Sequence, residues 1–230
     1  MWLLNSSIGK KLVMSISGLF LILFLLFHLS MNVVAVFSGE AYDMVCSFLG
    51  SNWYAVAGTL ILAAGFVIHI IYATMLTLQN RKARGSDHYD STVRPKGVSW
   101  SSQNMFVLGL IIVCFLILHF TQFWYHMMFA ELAGFEPTLM GKVMDPQSGA
   151  AFINYYLKGN LLWTLLYLVW FGALWFHLTH GFWSALQTIG WNSTKWLSRL
   201  ETISNIFATL ICGIFAIITL IFYFNGVGGM

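Results

Sequence analysis

Apolar residues fall in five long runs separated by polar segments, roughly 12–36, 53–79, 103–128, 160–188 and 203–224. Each run reaches the about 20 residues that an α-helix needs to cross a hydrocarbon core. The pattern predicts five transmembrane helices in a single all-α membrane domain spanning residues 1–230. Between the third and fourth runs, 129–159 carries Gly134, Pro137, Gly141, Pro146 and Gly149, which predicts a cap of turns or short interfacial helices on one face of the bundle. On the opposite face, Arg81 to Trp100 forms a polar loop with Asp87, His88, Asp90 and Pro95, where a solvated or subunit-facing histidine is expected.

Composition places the chain in the same class. With 59% hydrophobic and only 8% charged residues, it is an integral membrane protein rather than a soluble domain. The first run follows Lys10 and Lys11, as the apolar part of a signal peptide would. It is longer than the roughly 7–15 residues of such a segment and ends in no small-x-small cleavage site, so it is expected to be retained. Cys46, Cys114 and Cys212 stand isolated, without CxxC or CxxCH. Covalent haem attachment, zinc ligation and iron–sulfur ligation within this chain therefore have no support.

Charge orients the bundle. Lys10, Lys11, Arg81, Lys82, Arg84, Arg94, Lys96, Lys195 and Arg199 share one side of a five-helix topology, leaving Lys142 and Lys158 on the other. The asymmetry predicts a cytoplasmic N-terminus. The net charge of +3 is then an inner-face rim among lipid headgroups, and no nucleic-acid partner is implied. None of the eight acidic residues falls inside an apolar run.

Four runs each contain one histidine at nearly the same distance from the start of the run. His28, His69, His119 and His177 lie 17, 16, 16 and 17 residues from Lys11, Trp53, Gln103 and Asn160. At 1.5 Å rise, each is roughly 25 Å from the point where its helix enters the membrane. Because alternate helices run in opposite directions, His28 and His119 fall near the outer face, and His69 and His177 near the inner face. Imidazole is costly in hydrocarbon. Two planes of paired imidazoles, about 15 Å apart in a core of about 30 Å, fit two bis-histidine haems stacked across the membrane.

Small residues fit that arrangement. Gly18 and Gly109 each precede a histidine by ten residues, which puts them in the inner plane, where a residue without a side chain admits a macrocycle edge. Gly65 and Gly172, four and five residues before His69 and His177, are candidates for the same role. Glycines also simply let membrane helices approach, and the sequence leaves both explanations open. Each histidine Nδ1–H is expected to reach the carbonyl four residues back, on Phe24, Gly65, Phe115 or Ala173, leaving Nε2 for iron. The separations His119 to His126 and His177 to His180 are too short for two stacked haems. Cytochromes of the bc type carry two ligands on each of two helices, whereas here four helices contribute one each.

In the SGLFL…FH opening of the first run, FVIHIIYA in the second, the glycine-to-histidine stretch of the third and FHLTHGFWSALQTIGW in the fourth, the chain resembles the diheme cytochrome b membrane-anchor subunit of the succinate dehydrogenase and quinol:fumarate reductase family. The resemblance covers most of the chain. It implies a five-helix bundle enclosing two b haems, a quinone of low potential such as menaquinone, and two soluble partners on the cytoplasmic face of a bacterial cytoplasmic (inner) membrane. Those partners are an iron–sulfur subunit and a flavoprotein that carries FAD and interconverts succinate and fumarate. A dimer of heterotrimers is allowed. The acidic residue that some diheme fumarate reductases place two positions before the fourth-helix ligand is here Trp175, which puts a transmembrane proton path of that kind in doubt.

Quinone is expected near the outer haem, between the first and third helices. Asn32 lies four residues beyond His28, and Gln122 and His126 three and seven beyond His119, so all three are expected to project within roughly 60° of the ligand face, about 5–10 Å further out. His126 is the expected base, Glu131 the proton exit, and Gln122 or Asn32 the group that orients the ring; bonds to haem propionates are the alternative. His180, one turn from His177, is expected to bond a propionate or a neighbouring helix. Two other classes remain compatible with the residues: a diheme cytochrome b subunit of a hydrogenase or formate dehydrogenase, and a haem-free transporter or assembly protein using the histidines as proton or substrate sites.

Overall fold

The computed structural model describes residues 6–84, 99–191 and 193–229. Five helices within it are long and apolar enough to cross a membrane, which makes the chain a multi-pass membrane protein. The spans are α1 (Ser7–Phe37), α3 (Trp53–Arg84), α4 (Trp100–His119) with its continuation through Ala133, α7 (Leu161–Thr188) and α8 (Thr194–Phe224). They alternate in direction. Polar caps set the starts: Ser6, Ser99 and Asn160 accept from Gly9 N, Ser102 N and Trp163 N, groups that would otherwise lack partners.

Helices α1 and α8 extend further than the apolar runs. Lys10 and Lys11 lie within α1, and Lys195, Arg199 and Glu201 lie within α8. At these N-terminal ends the polar side chains delay the hydropathy signal by about one and a half turns in α1 and two and a half in α8 relative to the start of the helix. His88, Arg94 and Lys96 lie outside the described residues.

The core sits among α1, α7 and α8. Ala208 and Ser204 of α8 are fully buried, and the Ser204 hydroxyl lies 3.1 and 3.0 Å from the Leu178 and Thr179 carbonyls of α7. α3 is seated differently. It packs along α1 and scarcely meets α4. Its close approach to α1 depends on Gly65, where a Cβ would stand 2.6 Å from the Phe20 ring.

One end of the bundle carries a cap, hereafter the capped end; the other, with Lys11 and Arg81, is the basic end. Ser38 ends α1 and N-caps α2 (Gly39–Phe48), turning the chain across the top. The cap continues with α5 (Ala130–Ala133), a hairpin of β1 (Thr138–Leu139) and β2 (Lys142–Val143), and α6 (Gly149–Leu157). The hairpin turn holds Met140 and Gly141 at φ 47° and 77°, the left-handed pair that a two-residue loop requires. Asp43 of α2 accepts from Ala150 N at 2.8 Å and from the Ser148 hydroxyl at 3.2 Å, capping α6 from a neighbouring element.

The third span departs from α geometry. From Phe120 to Phe129 the backbone is π-helical, so hydrogen bonds there span five residues instead of four. A π turn takes about one residue more than an α turn, and residues beyond Phe120 fall progressively behind the azimuth that an unbroken helix would give them.

Candidate functional site

A continuous cavity of about 1650 Å³ runs along the bundle, from Lys11, Arg81 and Gln187 at the basic end to Gly50, Tyr54 and Glu131 at the capped end. It exceeds the roughly 300–1,000 Å³ of a usual single-ligand pocket. His28, His69, His119, His177 and His180 all line it.

The helices bring the four histidines together as two pairs. At the capped end, His28 of α1 faces His119 of α4 with ring centres 5.8 Å apart and planes at 84°. At the basic end, His69 of α3 faces His177 of α7 with centres 6.3 Å apart and planes at 63°. Two imidazoles on opposite sides of one metal, each bonded through nitrogen at about 2.0 Å, place their ring centres about 6 Å apart. Among the described residues no group of three or more His, Cys, Asp or Glu converges. The donor set therefore suits a group that brings its own equatorial nitrogens and asks the protein for two axial ligands, as haem does.

The surroundings of the pairs differ. His28 stacks on Phe24 (5.6 Å, 18°) and lies 6.1 Å from Phe215, while His119 lies among Phe123, Tyr167 and Trp170. At the basic end the neighbours are glycines. A Cβ on Gly18 would stand 3.3 Å from His69 Cε1, one on Gly109 3.8 Å from His177 Cε1, and one on Gly181 4.0 Å from His177 Cδ2. Gly65 faces Phe20 instead of the cavity histidines, and Gly172 meets nothing within 4 Å.

Hydrogen bonding to the rings corrects the expectation of bonds to carbonyls four residues back. His69 Nδ1 lies 3.2 Å from the Ser17 hydroxyl, which itself donates to the Met14 carbonyl at 3.0 Å. His119 Nδ1 lies 3.1 Å from the Tyr167 hydroxyl, which donates to Gln122 Oε1 at 2.7 Å. Among the described residues His177 Nδ1 and His180 Nδ1 find no partner. Both partners found lie on adjacent helices, because a rigid ring held toward the cavity turns Nδ1 sideways, away from its own backbone. His126 is the histidine that does bond four residues back, to the Gln122 carbonyl at 3.1 Å. Tyr167 and Ser17 were not among the sequence candidates. Tyr167 stands ten residues before His177, the same offset that singled out Gly18 and Gly109, and that spacing was the available signal.

The π segment rearranges the expected quinone residues. His126 packs on Phe152 (6.0 Å, 23°) and beside Tyr156 of α6, and it is not part of the cavity wall. Gln122 is buried against Tyr167. Asn32 does line the cavity, with its amide donating to the His28 carbonyl at 2.8 Å and lying 3.4 Å from His28 Nε2. Glu131 also reaches the wall, where its carboxylate accepts from Ser51 N (3.0 Å), the Ser51 hydroxyl (2.8 Å) and Gln147 Nε2 (3.0 Å). Beside it in the cap, burial pushes the Cys46 thiol up to about 11, so it stays protonated at neutral pH.

No family model, curated protein or solved structure matches this chain. The fold and the site together define a five-span helical membrane protein with two facing histidine pairs at opposite ends of one internal cavity.

Proposed function

We propose that the chain is the diheme cytochrome b membrane-anchor subunit of a succinate:quinone oxidoreductase. It would carry electrons between a quinone pool, menaquinone in the first instance, and an iron–sulfur subunit. The observation that carries this reading is the joining of His28 to His119 and of His69 to His177 across a single cavity. When bound, two b haems with paired imidazole ligands supply reversible one-electron transfer. The chain's own share is to hold those ligands, separate them along the membrane normal, and keep the path between them dry with apolar walls such as Ile22, Leu174 and Ile218.

At the capped end Asn32, Tyr54 and Glu131 line the wall where a quinone ring has hydrogen-bonding partners. Glu131 is the carboxylate placed to take up a quinol proton, with Ser51 and Gln147 holding its oxygens. At the basic end Arg81, Lys82 and Lys195 are exposed and form the face for the iron–sulfur subunit, with the flavoprotein beyond it. That end is cytoplasmic in this reading.

A reduced-minus-oxidised visible spectrum of the purified protein tests the proposal. Two low-spin b-type haems are expected, with one lost in His177→Ala and both kept in His180→Ala. A wild-type protein with no haem band overturns it, and a haem lost only with His180 overturns the ligand assignment on α7.

A further inference from the structure

Tyr167 bridges His119, the last residue of α4, and Gln122, near the start of the π segment. Its oxygen lies 3.1 Å from His119 Nδ1 and its hydroxyl reaches Gln122 Oε1 at 2.7 Å. Tyr167 and Gln122 are 8% and 3% exposed, so water does not compete for these groups. A neutral imidazole carries one proton on its two nitrogens, and the partner of one nitrogen decides the state of the other.

Only one direction of donation leaves Nε2 with a free lone pair. His119 Nδ1–H donates to the tyrosine oxygen, and the tyrosine O–H donates to the glutamine carbonyl oxygen. Run in reverse, the glutamine amide would donate to tyrosine and tyrosine to Nδ1, forcing a proton onto Nε2 and blocking a metal there. The structure holds the amide with Oε1 toward Tyr167 and leaves Gln122 Nε2 buried without a partner. That orientation is the one that ligation through Nε2 requires.

We propose that Tyr167 and Gln122 are positioning residues for the capped-end ligand: together they fix His119 in the Nδ1-protonated tautomer, lock its ring plane and strengthen Nε2 as a donor. The inference rests on the haem reading above and deepens it. An acceptor on Nδ1–H raises the basicity of a ligating histidine and favours the more positive metal state. Among the described residues the basic-end pair has no equivalent relay of two side chains: His69 Nδ1 meets the Ser17 hydroxyl and His177 Nδ1 meets no partner.

Redox titration of the purified protein, followed in the visible bands and by low-temperature electron paramagnetic resonance, tests the relay. Tyr167→Phe is expected to shift one midpoint potential upward and to alter one low-spin signal as the His119 ring is freed, leaving the other haem unmoved. The haem that moves should be the one missing from His28→Ala. Gln122→Leu, which keeps the tyrosine and nearly the same volume, should shift the same potential upward. If Tyr167→Phe fails to hold its haem, Gln122→Leu decides alone. Unmoved potentials in the haem-loaded variants, or equal movement of both haems, overturn the relay while leaving the functional reading standing. A wild-type chain without haem overturns both.

Discussion

The two histidine pairs are seated by opposite means. At the capped end, aromatic side chains and a buried hydroxyl–amide relay surround the rings, on helices α1 and α4 that both pack on α7. At the basic end the rings stand in a clearing made by Gly18, Gly109 and Gly181, and one of them rides on α3, which is joined chiefly to α1. The first arrangement fixes an imidazole by what touches it, the second by what is left out. A seat built from absent side chains is open to steric challenge, while a seat built from contacts is open to their deletion.

The largest effect should come from filling the clearing. Gly18→Leu extends a side chain from a Cβ position already 3.3 Å from His69 Cε1, so His69 must leave its place. If the pairs hold haem as proposed, the expected outcome is loss of the basic-end haem alone, read as one remaining b-type component in the visible spectrum. Retention of both would show that the glycine has no part in seating the ring. The corresponding change at the capped end, Phe24→Leu, should keep both haems and broaden the ligand geometry of one.

Next in size is the contact that holds α3. Gly65→Ala places a Cβ 2.6 Å from the Phe20 ring, so α1 and α3 must separate or the ring must turn. Overpacking of this kind costs about 1–3 kcal/mol. Thermal unfolding in detergent should show the loss, and Phe20→Leu in the same chain should recover much of it. Gly172→Ala serves as the control, because its Cβ meets nothing within 4 Å and its effect should stay within about 0.5 kcal/mol.

Ser17→Ala should act more gently. It removes the hydroxyl 3.2 Å from His69 Nδ1, a bond worth about 1 kcal/mol net. The basic-end haem should stay bound with its midpoint potential raised, and a thermal midpoint unchanged within error would argue that Ser17 only returns its proton to the Met14 carbonyl. Smallest in the site's own signals is Gly134→Ala at the end of α5. Its φ of 72° disfavours a Cβ, and the expected cost is about 1–2 kcal/mol, confined to the cap and silent in both haem signals.

The five spans were legible because hydropathy alone marks a membrane helix, and the histidine intervals were legible because each span measures depth by counting residues. Azimuth was not. Phe120 to Phe129 contains no glycine or proline to announce a change of helix type, and its packing on α6 and its bond to Tyr167 of α7 are long-range features that no local pattern records. His126 was therefore expected at the ligand face and lies against Phe152, while Glu131, two residues into α5, reaches the cavity wall. The partners of Nδ1 were misjudged for a related reason. Sequence distance suggested each histidine's own backbone, whereas Ser17 and Tyr167 come from neighbouring helices. Helix α2 lay between apolar runs with too little hydrophobicity to register, although Ser38 before Gly39, Glu40 and Ala41 is an N-cap signature.

Counted as chain length, the π segment holds slack. Its ten residues turn through about the same angle as eight in α geometry. Deleting two of them would let an ordinary α-helix form while keeping the cap, and Glu131 within it, at the same bearing over the bundle. The same deletion would draw Gln122 away from Tyr167. A two-residue deletion within Phe120–Phe129 thus acts as a separate control from substitutions: it changes how His119 is held without rotating the roof above the cavity.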